Sequence, residues 1–132
     1  MRSRLLAGLL AVCSLFLVSS SLLAHHASSW ADTRNARTIT GKVVEWNFIN
    51  PHVTMLLAVK GEDGSTEQWV IEFNSPQSLG RSGWSIATVK PGDEVSLTGG
   101  PSKDGRKLMA HQGNRKVLIN GKELSLSRSP QY

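Results

Sequence analysis

The chain has 132 residues and a formal net charge of +5, with four His and one Cys. This length suits one domain and is too short for two. With 39% hydrophobic residues, the composition excludes both a polytopic membrane protein and a fully disordered chain. Twelve Gly and five Pro indicate many turns, and therefore β-structure rather than a helical bundle.

Residues 1–24 have the layout of a secretory signal peptide. Two arginines precede an uncharged apolar stretch, residues 5–23, which ends in small residues before Ala24. Cleavage there removes both arginines and Cys13, so the mature chain has no thiol and is only mildly basic. An uncleaved anchor is the alternative, because an uncharged stretch of this length nearly spans a bilayer. We expect cleavage, a periplasmic or secreted protein, and no stable membrane insertion after processing.

The rest of the chain divides into an arm, one domain and a tail. Residues 25–37 are polar apart from Trp30 and are predicted to form an N-terminal arm. The domain is expected over residues 38–127, and residues 128–132 form a short C-terminal tail.

The first predicted strand, residues 38–49, changes its apolar face part-way along. The apolar residues lie on one face up to Val43 and on the other from Val44 onwards, close to Gly41. A change of phase beside a glycine is typical of a bent or bulged strand that serves two sides of a curled sheet.

Further strands and one short helix follow at regular intervals. Strands are predicted at residues 52–60, 67–73, 94–99, 107–111 and 117–124, the last a hairpin with an Asn-Gly turn. A short helix should begin at Ser75-Pro76, with Trp84 and Ile86 returning the chain to the core. The order β-β-β-α-β-β predicts an all-β fold with one short helix: a five- to six-stranded OB-like Greek-key barrel. A small sandwich is the alternative.

Motifs of enzyme chemistry are missing from the sequence. There is no phosphate loop, no GxSxG and no HExxH, and the mature chain has no thiol nucleophile. The acidic residues lie mostly in turns or on outward strand positions. We therefore predict a protein that is not an enzyme.

The histidines suggest a metal site. Cleavage after Ala24 would make His25 the N-terminal residue, whose α-amine and imidazole can chelate one ion, with His26 beside it. A nitrogen from His52, at a strand start after Asn50-Pro51, would complete a set of nitrogen ligands that suits Cu(II). Zinc is the other candidate ion. The alternative is a flexible tail and a histidine bonded to its own turn.

Met109 and His111 form a weaker candidate pair. They lie two residues apart on a predicted strand and therefore point to one face. A thioether with an imidazole would favour Cu(I). The alternative places Met109 in the core and His111 near the barrel rim, and we favour it because Met is a common core residue.

The aromatic residues offer another kind of site. Trp46, with Asn50 nearby, is a candidate contact for an envelope peptide or glycan on the barrel face. Trp69 alternates with Ile71 and Phe73 and is predicted to be a core residue. Lys and Arg are scattered rather than aligned with the aromatics, so no nucleic-acid partner is expected.

The order and spacing of several short motifs resemble a family of small exported bacterial proteins catalogued as a domain of unknown function. The motifs are Ala24-His25-His26, Glu45-Trp46, Asn50-Pro51-His52, Trp69 with Glu72, Ser75-Pro76 with Leu79 and Gly83-Trp84, and Pro91-Gly92-Asp93 with Val95 and Gly99. The resemblance covers about residues 24–124. It implies a periplasmic OB-like domain and no established activity. Where that family has Ser-Phe after the two histidines, this chain has Ala27-Ser28-Ser29-Trp30.

These observations predict an exported, non-catalytic binding module. Copper or zinc held by His25, His26 and His52 is the sharpest hypothesis. The alternative is an envelope peptide- or glycan-binding domain that uses Trp46 and Asn50. The oligomeric state is left open.

Overall fold

Alternating apolar and polar residues form seven strands and one short helix in the part of the chain that the structure describes. The structure is a computed structural model and describes residues 29–113 and 115–124. The elements are β1 (Arg37–Asn47), β2 (Thr54–Lys60), β3 (Thr66–Glu72), α1 (Pro76–Arg81), β4 (Glu94–Pro101), β5 (Leu108–His111), β6 (Val117–Ile119) and β7 (Lys122–Glu123). The predicted signal peptide, His25, His26 and the C-terminal tail lie outside the described residues.

Five of the strands close into a barrel. β1, β2 and β3 form an antiparallel meander, β3 pairs in parallel with β5, and β5 pairs antiparallel with β4. β4 then pairs antiparallel with β1, so β1 uses both of its edges and closes the ring. With α1 between β3 and β4, this is the OB topology. The predicted OB-like barrel is confirmed and the sandwich alternative is wrong; the β6–β7 hairpin extends the sheet beside β4.

The bend predicted in β1 is a β-bulge. The register with β2 shifts between Val43 and Glu45, so Val44 is the extra residue. Val43 is buried, Val44 and Glu45 are exposed, and the strand turns inward again at Trp46. The change of face is confirmed, but it takes effect at Trp46 rather than at Val44, because the bulge residue points to solvent. Beside it, a Cβ on Gly41 would lie 2.6 Å from the carbonyl oxygen of Ala58.

The core fills the barrel with side chains from every barrel strand and from the α1 segment. Its fully buried members include Met55, Leu57, Ile71, Leu97 and Met109. Burial of Trp69 and Trp84 confirms both predictions. The prediction for Ile86 is wrong: its side chain is 72% exposed, and Val89 takes the inward position three residues later.

The short helix α1 positions the chain that returns from β3 to β4. Ser75 caps it by accepting a hydrogen bond from the Ser78 backbone N–H at 3.3 Å, and Pro76 begins the first turn, as predicted. The helix ends at Arg81, Ser82 is its C-cap, and Gly83 follows with a φ of +88°. Leu79 is its buried residue and anchors it to the barrel end. No helix among the described residues is long and apolar enough to cross a bilayer.

Candidate functional site

His52 and Glu72 meet at the barrel end where β2 begins and β3 finishes. Thr54 pairs with Glu72, and the bond from the Phe73 N–H to the Val53 carbonyl continues the ladder by one step. Val53 and Phe73 are buried in the core, so their neighbours on the two strands point outward. As a result, His52 Nδ1 lies 2.9 Å from Glu72 Oε1.

This contact leaves one nitrogen of His52 for a ligand. The His52 side chain is 39% exposed and that of Glu72 is 25% exposed. A carboxylate on one ring nitrogen fixes the tautomer and orientation of the ring, which is how most metal-binding histidines are held. Within residues 29–113 and 115–124, no three His, Cys, Asp or Glu side chains lie close enough to hold an ion. Further ligands would therefore have to come from elsewhere.

The described part of the N-terminal arm begins at the other end of the barrel. Lys103, in the β4–β5 loop, donates from Nζ to the Ser29 carbonyl at 2.6 Å and from its backbone N–H to the Trp30 carbonyl at 3.0 Å. β4 is antiparallel to β1, so this loop lies near the start of β1, whereas His52 follows its end. Three residues, the separation of His26 from Ser29, reach at most about 10 Å. By comparison, the 11 residues of β1, which run from this end of the barrel towards His52, follow a bent path about 35 Å long.

Trp46 is a packing residue at the same end as His52. Its ring centroid lies 5.7 Å from that of Trp84 and 5.5 Å from that of Phe73, and its indole N–H donates to the Ser85 carbonyl at 3.3 Å. These contacts occupy much of the ring, which is half-buried. Asn50 is exposed in the β1–β2 connection. A ligand contact through Trp46 and Asn50 stays a prediction.

His111 extends this aromatic cluster from the end of β5. Its ring centroid lies 5.0 Å from that of Phe73, and its Nε2 is buried without a hydrogen-bond partner in the described structure. Burial lowers the pKa of His111 to about 4, and a backbone hydrogen bond at Arg115 opposes this only in part. The imidazole is therefore neutral at pH 7. Met109, on the same strand, is fully buried in the core, and a copper site made by the two stays a prediction.

A charged groove at the opposite end was not predicted from the sequence. The Arg37 guanidinium carbon and the Lys107 ammonium lie 5.1 and 5.3 Å from the centroid of the Trp69 ring. Glu67 accepts hydrogen bonds from the Trp69 indole N–H at 3.1 Å and from Lys107 Nζ at 2.8 Å. The groove in front of them has a volume of about 700 Å³. Alternation placed Trp69 in the core, but only the pairing of β3 with β5 brings Lys107 to it.

The closed five-stranded barrel, with its helix between the third and fourth strands, defines an OB-fold domain. The chain belongs to DUF6152, a family of unknown function, whose sequence model matches residues 12–112. A search of curated proteins finds no match.

Two of the solved structures that match are crystal structures of the mitochondrial single-stranded DNA binding protein Rim1 from S. cerevisiae. One has 12% identity and a TM-score of 0.48, and the match covers 67% of this chain and 95% of that chain. The other, of the selenomethionine-labelled protein, has 16% identity and a TM-score of 0.44, with 64% and 93% covered. The absence of a nucleic-acid partner for this chain stays a prediction.

Proposed function

We propose that this protein is an exported, non-catalytic binding module that holds a copper or zinc ion through Nε2 of His52. The observation that carries the proposal is the 2.9 Å contact between His52 Nδ1 and Glu72 Oε1 at an accessible barrel end. The carboxylate orients the imidazole and fixes its tautomer, while the strand pairing of Thr54 with Glu72 keeps the two side chains together. In this role Glu72 is a positioning residue and not a ligand.

The α-amine of a processed His25, with the imidazoles of His25 and His26, would supply the remaining nitrogen ligands. The arm starts at the barrel end opposite His52, and three residues reach only about 10 Å. We therefore assign these ligands to a second copy of the chain. One ion would then join the N-terminus of one copy to His52 of the other.

Chelator competition with correctly processed protein tests the metal site. We expect His52→Ala to weaken Cu(II) affinity at least 100-fold, and Glu72→Gln to weaken it about 10- to 100-fold, since the ring loses its orienting partner. Glu123→Gln, which removes a carboxylate paired with Lys116 elsewhere on the surface, is the matched control and should leave affinity unchanged. Equal affinity of wild type and His52→Ala would overturn the proposal. So would loss of binding in His111→Leu while His52→Ala binds normally.

Native mass spectrometry separates the metal site from its division between two copies. We expect dimers to form on addition of Cu(II), and not after one extra residue is placed before His25. Mixing that extended protein with His52→Ala should restore one ion per pair, because each supplies what the other lacks. Tight binding of one ion by a monomer, still dependent on His52, would contradict the second copy while leaving the metal function intact.

A further inference from the structure

The turn between β6 and β7 carries the only Asn-Gly pair of the sequence, Asn120-Gly121. Both residues are exposed, and their φ angles are +51° and +78°. A Cβ on Gly121 would meet nothing within 4 Å, so the space around this residue is open. Asparagine before glycine loses its side-chain amide readily, because glycine has no side chain to hinder the approach of its own nitrogen to the asparagine Cγ. The turn therefore has the composition and the exposure of a deamidation site.

The closed hairpin holds the side-chain amide of Asn120 against the start of β4. Asn120 Nδ2 donates to Asp93 Oδ1 at 2.9 Å, and Asn120 Oδ1 accepts from the Glu94 N–H at 2.9 Å. The backbone N–H of Asn120 also donates to the Glu94 carbonyl, at 2.8 Å. Both polar ends of the amide are thus bonded to another segment of the chain. While these bonds hold, Asn120 Cγ is not free to turn towards the nitrogen of Gly121.

The β6–β7 hairpin is attached to the barrel over a short length. β6 pairs with β4 from Val95 opposite Ile119 to Leu97 opposite Val117, and among the described strands β7 pairs with β6 alone. The five barrel strands close without either of them. A peripheral unit of this kind opens at a lower free energy than the whole fold. Opening of the hairpin therefore releases Asn120 while the barrel stays closed.

We propose that Asn120 is a deamidation site controlled by opening of this hairpin, and that the modification then keeps the hairpin open. In the open form the Gly121 nitrogen gives its proton to water or a buffer base and attacks Asn120 Cγ. The bond from Cγ to Nδ2 breaks, and ammonia leaves with a proton taken from the solvent. Water then opens the succinimide ring at one of its two carbonyls, which leaves an aspartate or an isoaspartate at position 120. No oxidant or reductant takes part.

The new carboxylate at position 120 opposes closure of the hairpin. It would replace the Asn120 N–H donor that now lies 2.9 Å from Asp93 Oδ1. Asp93 also accepts a hydrogen bond from the Lys90 backbone N–H, and these bonds together lower its pKa, so it stays ionised at neutral pH. Two carboxylates at this distance repel each other. None of these groups belongs to the proposed metal site, and the inference does not depend on it.

Mass spectrometry of protein aged at neutral pH tests the control by the hairpin. Trypsin cleaves after Lys116 and Lys122 and so releases residues 117–122, in which aspartate and isoaspartate products are separated by chromatography. We expect deamidation to be at least tenfold slower in the folded protein than in the free peptide of residues 117–122, and Asp93→Ala to accelerate it about threefold or more. Asp32→Ala is the matched control, because it removes a carboxylate bonded to the Asn35 amide at 2.8 Å in the arm, and it should leave the rate unchanged. Equal or faster deamidation in the folded protein would overturn the proposal, as would an unchanged rate in Asp93→Ala.

Amide hydrogen exchange in Asn120→Asp tests the effect of the modification. We expect the amides of β6 to exchange at least tenfold faster than in wild type, while those of β2 and β3 keep their protection. Adding Asp93→Asn to this variant should restore most of the protection of β6, because an amide at position 93 then faces the carboxylate at position 120. Unchanged exchange in Asn120→Asp would contradict the proposal. Loss of protection throughout the barrel, or no recovery in the double variant, would contradict it too.

Discussion

The rings of His111 and Phe73 lie side by side, with centroids 5.0 Å apart and planes inclined at 35°. The cause is the parallel register of β3 and β5, in which Glu72 pairs with Ala110 and the next residue on each strand points to the same side. The contact buries an imidazole whose Nε2 has no partner in the described structure, and burial brings its pKa to about 4. The aromatic cluster of Trp46, Phe73 and Trp84 therefore includes a neutral histidine as a packing partner of Phe73.

This contact predicts a loss of stability in mild acid. The unfolded chain binds a proton at His111 near pH 6.5, whereas the folded chain binds it only near the lowered pKa of about 4. The contribution of the neutral ring is complete above pH 6.5 and is lost as the pH falls towards 4, by at most about 3 kcal/mol. Urea unfolding at several pH values measures it.

The variant His111→Leu isolates this effect from other titrating groups. The difference in free energy of unfolding between wild type and variant should change with pH between 6.5 and 4 and level off below 4. Carboxyl groups with a lowered pKa, such as that of Asp93, lose their contribution only at lower pH. A difference that is constant across the window would contradict the assignment.

The close approach of β1 to β2 predicts that Gly41→Ala is destabilising. A Cβ at this position would lie 2.6 Å from the Ala58 carbonyl oxygen and 2.9 Å from Val59 Cγ2, so the strands must separate. We expect a loss of about 1–3 kcal/mol in chemical unfolding. Gly80→Ala is the control, because a Cβ there meets nothing within 4 Å and alanine favours the helix by up to about 1 kcal/mol. Similar effects of both substitutions would show that β1 and β2 are not so close.

Two neighbouring apolar residues after α1 should differ sharply in their effect on stability. Trp84 is 3% exposed and packs on Phe73 at 5.5 Å, so Trp84→Ala should cost about 3–5 kcal/mol. Ile86 is 72% exposed, so Ile86→Ala should stay within about 0.5 kcal/mol. Thermal and urea unfolding of both variants measure the contrast. A large loss for Ile86→Ala would mean that this segment packs differently.

The β6–β7 turn predicts a specific role for Asn120. It adopts a φ of +51°, its side-chain N–H donates to Asp93 at 2.9 Å, and its side-chain oxygen accepts from the Glu94 N–H at 2.9 Å. Asn120→Gly keeps the backbone shape but loses both hydrogen bonds, at about 1–2 kcal/mol. Asn120→Ala also forces alanine into the left-handed region and should cost about 1 kcal/mol more. Equal stability of the two variants would show that the backbone conformation is not strained there.

The same turn links Asn120 to the titration of Asp93. The hydrogen bond from the Asn120 side chain is the largest cause of the lowered pKa of Asp93. In Asn120→Gly we expect this pKa to rise towards the usual value. Carboxyl titration followed by NMR checks it, with Asp104 as an internal reference, since its pKa is lowered by Ser102 and Arg106 in another loop.

The strands, the helix and the bulge could be predicted because each depends on residues close together in the sequence. Alternation marked β2 and β3, Ser75-Pro76 marked the start of α1, and the change of face around Val43 marked the bulge. Local patterns did not determine whether an isolated apolar side chain points into the core or towards solvent. Val44 proved to be the exposed bulge residue and Ile86 an exposed loop residue, because which side faces the core depends on neighbouring strands.

Part of the candidate metal site could be found from the sequence, but its geometry could not. His52 was a candidate because it follows Asn50-Pro51, yet its partner Glu72 is supplied by another strand. Register between strands depends on packing across the barrel, which short-range spacing does not encode. The groove formed by Arg37, Trp69 and Lys107 was missed for the same reason.

Length, charge and the apolar leader by themselves predicted a small exported domain, and alternation with one helix signal predicted its OB-like class. Only the tertiary structure decided which residues meet. Closure of the barrel pairs residues 37–42 of β1 with β4, and the parallel pairing of β3 with β5 places His111 on Phe73. The reason is physical: periodicity is set by the chain's own backbone geometry, whereas contacts between distant residues depend on how the strands close around one core.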